Sequence, residues 1–271
     1  EELTSCPGQT VVEDPEPLTS RLKLEPKCTI HRDGLGSLIA TKEGTRKQPH
    51  IMLTAHMDEV GFMLQNITEA GYLRLQPLGG WVASNLPGQR LDIHGSKGPV
   101  EGIIAAVPPH FKKEQKTELG VEDLLVDVGA ASREEVAFLG LQLGDLITPV
   151  SHFAIYNEKL LANKAWDDRI GCAVLTATMN QLTTHPNTVV AAATVQEEVG
   201  FFEGPGQFLG RRLAVTIDAS VDNANLGEAP VQHGLDASVD VARPEGYVRL
   251  GYMVLQETQQ AGRVADVADV H

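Results

Sequence analysis

Three strand-like segments limit the folds open to this chain more than any other feature. They are HIMLTA (His50 to Ala55), TVVAAATV (Thr188 to Val195) and RRLAVTIDAS (Arg211 to Ser220). Small and β-branched residues run through them without the polar alternation of a strand that has one wet face. Such runs are strands covered on both faces. RIGCAVLTATMNQL, from Arg169 to Leu182, is an amphipathic helix closed by the turn Thr-Thr-His-Pro before the Thr188 strand. The expected fold is α/β, a mixed sheet flanked by helices. Its middle is different. From 66 to 156, GYLRLQPLGGW, QRLDIHGSKGPVEGIIAAV and LGDLITPV are short alternating strands broken by glycine and proline. Hairpin signals at such short intervals predict a small β-barrel. The α/β domain is therefore expected in two parts, 1–65 and 157–271, with an inserted barrel domain at 66–156.

The buried strands end in an unusual way. HIMLTA runs into His56, Asp58 and Glu59; TVVAAATV runs into Gln196, Glu197 and Glu198; the Arg211 segment reaches Asp218. Asp167 and Asp168 stand just before the helix. Each is costly to bury unless a cation or a proton accompanies it. Taken singly, a strand-end histidine is a hydrogen-bonding residue, Asp-Asp is a helix cap and Glu-Glu is a solvated turn. Taken together, three strand ends and a helix start carry metal-ligand residue types with no thatch of lysines. In an open α/β sheet the carboxyl ends of the strands form the ligand crevice, where these groups could converge. Imidazole and carboxylate without thiolate suit zinc first, with cobalt or manganese as alternatives. A carboxylate bridging two ions, about 3.5–4 Å apart in hydrolytic sites, acidifies a shared water. A neighbouring carboxylate that is not a ligand can then take its proton, which gives adjacent glutamates two roles.

Composition narrows the partners. The formal net charge of −14 over 271 residues opposes nucleic-acid phosphates and anionic lipid, so neither nucleic acid nor membrane is expected as a partner. Cys6, Cys28 and Cys172 are scattered and in no CxxC spacing, which predicts a reducing, cytoplasmic location and no thiolate zinc site. EGPGQFLG is glycine-rich but does not open a phosphate loop.

The motifs AHMDEVGFML, LGGW, GIIAAVPPH, EDLLVDVGAASREE, LGLQLGDLI, NKAWDDRIG and TVQEEVG resemble, in order and spacing, the tetrahedral (TET) aminopeptidase and glutamyl aminopeptidase family of dinuclear metallopeptidases. The resemblance runs from about Gly36 to Asp218. It implies two divalent ions per chain. His56 and Asp218 would bind the first, Glu198 the second, and Asp167 would bridge them. It also implies Asp58 as the residue orienting the His56 ring and Glu197 as the general base, with Asp168 and Arg169 structural. The implied substrates are short peptides, shortened from the N-terminus. The barrel would mediate dimer contacts in a homo-oligomer ranging from dimer to dodecamer.

Beyond Asp218 the family pattern continues with a glycine-rich GGGTD loop and an RYIHS-like strand end that supplies a last histidine. Neither occurs among the residues here, and His233 and His271 are the remaining imidazoles downstream. Two other readings stay open on the sequence. One is a catalytically impaired homologue acting as an assembly or interaction module. The other is a different hydrolase, a deacylase or carboxypeptidase, on the same metal scaffold.

Overall fold

A computed structural model of the chain describes residues 28–105, 120–158 and 160–201, with Leu3 and Leu24, and the backbone of strands at 212–220, 236–243 and 246–254. Along the chain come β1 (Thr29–Arg32), β2 (Leu38–Lys42), β3 (Arg46–His56), β4 (Gly61–Ile67), β5 (Leu73–Leu78), β6 (Arg90–Gly95), β7 (Gly98–Ile104) and β8 (Leu125–Asp127). Then follow helix α1 (Arg133–Phe138), β9 (Leu146–Pro149), β10 (Ala154–Tyr156), β11 (Leu160–Ala162), helix α2 (Trp166–Gln181), β12 (Asn187–Thr194), β13 (Arg212–Ser220), β14 (Asp236–Arg243) and β15 (Gly246–Val254).

The described strands form a mixed seven-stranded sheet in the order β1-β2-β12-β3-β13-β14-β15, a closed barrel in the order β4-β5-β8-β7-β6-β9, and a separate antiparallel pair, β10-β11. In the sheet, β3 runs parallel to both β12 and β13, while the outer pairs are antiparallel. The register between β12 and β3 shifts between Asn187 and Val189. Pro49 lies in this part of β3, and a proline cannot donate to the ladder. The sheet strand at His50 accordingly begins earlier than its apolar run, at Arg46.

Alternation along β12 sorts its residues between two faces. Val189, Ala191 and Ala193 join Ala40, Ala55, Cys172, Leu175 and Met179 in the core under α2. Val190 and Ala192 pack with Ile39 and Met52. Alanines on β12 let the helix approach closely, which explains the small residues in TVVAAATV. Buried Lys42 closes the far end of α2, its Nζ donating to the carbonyls of Met179 and Leu182. A cation there complements the helix dipole and its unpaired carbonyls.

The barrel has its own core: Phe62, Leu73, Ile93, Val126 and Ile147 are fully buried, with Leu64, Leu75, Leu91 and Ile104 around them. Trp81 stacks on Phe62 at 4.4 Å between ring centroids and donates from Nε1 to the Gly61 carbonyl. That satisfies its polar end while the ring packs against the barrel core. Among the described residues no helix is long and apolar enough to cross a membrane.

Candidate active site

The parallel strands bring their carboxyl ends to one level. Thr194 of β12 is in register with His56 of β3. Thr216 of β13 is in register with Thr54, two residues before His56, and Asp218 lies two residues further along β13. The description of Asp218 is limited to its backbone, and His233 and His271 lie outside the described residues.

His56 is buried and held from both sides of its ring. Nδ1 faces Asp58, 3.2 Å from its carbonyl oxygen and 3.4 Å from Oδ1. Nε2 faces Asp167 Oδ1 at 3.1 Å and Glu197 Oε2 at 3.8 Å. Asp58, 2% exposed, also accepts the backbone N–H groups of Glu197 (3.3 Å) and Glu198 (3.1 Å), one on each carboxylate oxygen. One carboxylate thus fixes the imidazole and the turn that carries both glutamates. That turn leaves β12 through Gln196, at φ 68°, into a wide helical turn over Glu197–Phe201. It answers why a core strand ends in Gln-Glu-Glu: the left-handed residue reverses the chain so that the glutamates come back over His56.

Helix α2 supplies the second half. Asp167 and Asp168 have non-helical backbone angles, so regular helix begins after Asp168; the peptide bond between the two is cis. Buried Asp168 caps it: Oδ1 accepts the Gly171 N–H at 3.0 Å and Oδ2 accepts the His56 N–H at 3.3 Å. Gly171 permits this, because a Cβ there would overlap the Asp168 carboxylate. The Asp167 side chain is half exposed and faces the His56 ring instead.

The barrel reaches the site through Gly79, at φ 86°. A Cβ there would stand 2.6 Å from Val60 Cγ1 and 3.2 Å from Glu198 Oε2. Glycine in LGGW is thus required both by the left-handed backbone and by the closeness of Glu198.

The electrostatics show a site short of positive charge. Burial alone would lower the His56 pKa, but the bonds to Asp167 and Asp58 and the charges of Asp58 and Asp168 overcome it and raise it to about 11. Glu198 is pushed up to about 7 by burial and by the charges of Asp167, Asp58 and Glu197, against the opposing His56 imidazolium. His56, Glu197 and Glu198 each offer a ligand atom within 4.8 Å of the others. This donor set fits a hard or borderline divalent cation: imidazole nitrogen and carboxylate oxygens, with a proton on His56 doing part of the neutralising in the metal-free form.

Two features went unseen in the sequence. Lys164, beside the Asp pair, donates to buried Glu59 at 2.9 Å, so a lysine does stand among the acids. Arg169, fully buried, reaches the same Glu59 oxygen at 3.4 Å. Spacing gave no signal for either pairing.

A family model, M42 glutamyl aminopeptidase, matches residues 36–241. The lysyl aminopeptidase of Pyrococcus furiosus is 36% identical over 171 residues, which are 62% of this chain and 49% of the relative. The solved TET aminopeptidase from a marine sediment archaeon (Thaumarchaeota archaeon) shares 35% identity at a TM-score of 0.76, covering 84% of this chain and 66% of that one. The Pyrococcus horikoshii TET1 peptidase, described as able to assemble into a tetrahedron or a large octahedral shell, shares 30% identity at a TM-score of 0.70, covering 86% and 71%. The chain spans about half the length of the curated relatives it matches. With the family model matching most of its length and the mixed sheet and barrel matching these solved structures, the chain belongs to the M42 glutamyl aminopeptidase family.

Proposed function

We propose that this protein is a metal-dependent aminopeptidase that removes N-terminal residues from short peptides. The observation that supports this most is the meeting of Asp167, Glu197 and Glu198 around one buried imidazole, His56, at the carboxyl ends of parallel strands. His56, Asp167, Glu198 and Asp218 would hold two divalent ions, zinc in the first place and cobalt or manganese as alternatives. Bound there, the ions supply Lewis acidity to the scissile carbonyl and lower the pKa of water.

The chain's own residues do the rest. Glu197, 3.8 Å from His56 Nε2, is the general base. It takes a proton from the attacking water as the new C–O bond forms, and gives it to the amine nitrogen as the C–N bond breaks. Asp58 keeps Nδ1 occupied, so that Nε2 stays turned into the site. The crowd of carboxylates attracts a cation of the substrate as well. Only at a peptide's N-terminus does an ammonium lie next to a scissile carbonyl, which selects removal of terminal residues. In this reading 1–65 and 157–271 form the catalytic domain and 66–156 the barrel domain that mediates dimer contacts, with the first barrel strand, β4, starting slightly earlier at Gly61. A homo-oligomer, from dimer to dodecamer, is supported by the shells of the Pyrococcus horikoshii relative. A cytoplasmic location is supported by Cys28 and Cys172, which are buried and in no disulfide.

The test is direct. The full chain, loaded with zinc or cobalt, should hydrolyse an aminoacyl chromogenic substrate. Glu197→Gln should lower kcat at least about a hundredfold while bound metal stays unchanged. A folded sample that takes up no stoichiometric divalent ion would sink the reading.

A further inference from the structure

Behind the carboxylates of the site lies a second, enclosed charge cluster. Glu59 is 2% exposed, Arg169 is fully buried, and Lys164 has a side chain 11% exposed. Lys164 Nζ and Arg169 Nη2 share Glu59 Oε1, at 2.9 and 3.4 Å. Arg169 Nε donates to the Met57 carbonyl at 3.0 Å, and Nη1 to the Leu3 carbonyl at 2.9 Å. Burying three charges is costly, and apolar residues would fill the same space with no loss of stability. What the cluster joins is therefore more informative than what it contributes energetically. Met57 and Glu59 alternate with His56 and Asp58 on the segment leaving β3. Lys164 and Arg169 flank Asp167 on the segment entering α2. The cluster ties together the two segments whose side chains meet at the His56 Nε2 to Asp167 Oδ1 contact of 3.1 Å.

We propose that Glu59, clamped between Lys164 and Arg169, is a positioning residue that sets the approach of Asp167 to His56 and so the geometry of the ion site. This rests on the metallopeptidase reading in so far as an ion is one of its readouts. The charge of Glu59, not its volume, performs the task. A neutral side chain of the same shape removes the charge through which the His56 segment holds both cations of the Asp167 segment, and it leaves Lys164 and Arg169 repelling each other beside Asp167, so the two segments lose their tie.

The experiment uses the full chain and cobalt(II) as the probe. Glu59→Gln should weaken cobalt affinity ten- to a hundredfold, the range found when groups supporting metal ligands are removed. It should also alter the visible absorption of bound cobalt and move the His56 Nε2 resonance of 15N-histidine-labelled, metal-free protein. Adding Lys164→Met removes one of the facing cations, so the double variant should regain at least about threefold in affinity. A space-filling role predicts no such recovery. Wild-type affinity and an unmoved His56 resonance in Glu59→Gln would overturn the proposal, as would a double variant no better than the single one. If Glu59→Gln does not fold, Lys164→Met alone decides: it should shift the same resonance, and an unshifted one refutes the proposal. If wild-type protein binds no cobalt, the metallopeptidase reading falls, and the metal-free His56 resonance still decides on positioning.

Discussion

The interior of the barrel and the layer of side chains behind the carboxyl edge of the mixed sheet are both closed to water and opposite in content. In the barrel, Phe62, Leu73, Ile93, Val126 and Ile147 are fully buried in an apolar cluster. At the sheet edge, His56, Asp58, Glu59, Asp168 and Arg169 are buried too, and every one of them carries or can carry charge. Burial of the first kind stabilises by about 25 cal/mol for each Å² removed from water. Burial of the second kind costs free energy unless each group finds a partner, and the partners here are one another. The barrel's apolar core and the chemistry are thus housed in different parts of the molecule. The barrel touches the chemistry at Gly79, where its backbone abuts Glu198.

That division can be broken from either side. Truncation in the barrel should cost stability and leave the site intact. Ile93→Ala should destabilise by about 2–5 kcal/mol, read by urea unfolding, because it leaves a cavity in a packed core. Metal bound per folded chain should not change; a loss of metal in step with stability would show that the two regions are not separate. Truncation at the sheet edge should do the reverse. Asp58→Asn removes the charge that holds the His56 ring and accepts the Glu197 and Glu198 N–H groups. Metal affinity should drop by about ten- to a hundredfold. Equilibrium dialysis with zinc checks it, and an affinity within twofold of wild type would remove Asp58 from the site.

Much of this was legible in the sequence, for a physical reason. Apolar periodicity is local, so the strand at Thr188, the helix after Asp168 and the hairpins of the barrel are written in neighbouring residues. The strand-end carboxylates were legible because an acid placed directly after a buried strand has few inexpensive environments. What stayed hidden is pairing over long separations. Lys164 meets Glu59 from 105 positions away, and Asp58 holds Glu198 from 140. No spacing encodes such partners, and the same letters would serve a solvated turn. Likewise LGGW does not reveal in sequence that Gly79 must make room for Glu198.

The smallest expected effect separates the two regions by their protons. In the metal-free protein His56 holds its proton up to about pH 11, and Glu198 up to about pH 7. Both must lose it to bind a cation, since metal ligands bind deprotonated. At pH 6 cobalt binding should therefore release roughly two protons, and at pH 9, where Glu198 is already ionised, roughly one. Apparent affinity should rise by about two decades per pH unit below pH 7 and by about one above it. The barrel provides the contrast: burial lowers the pKa of His94, the opposite direction to His56. Calorimetric titration in buffers of different ionisation enthalpy counts the protons. An imidazole at its ordinary pKa near 6.5 releases almost nothing at pH 9. Zero release at that pH would mean that the acids around His56 do not stabilise its proton, and the case for a site short of positive charge would go with it.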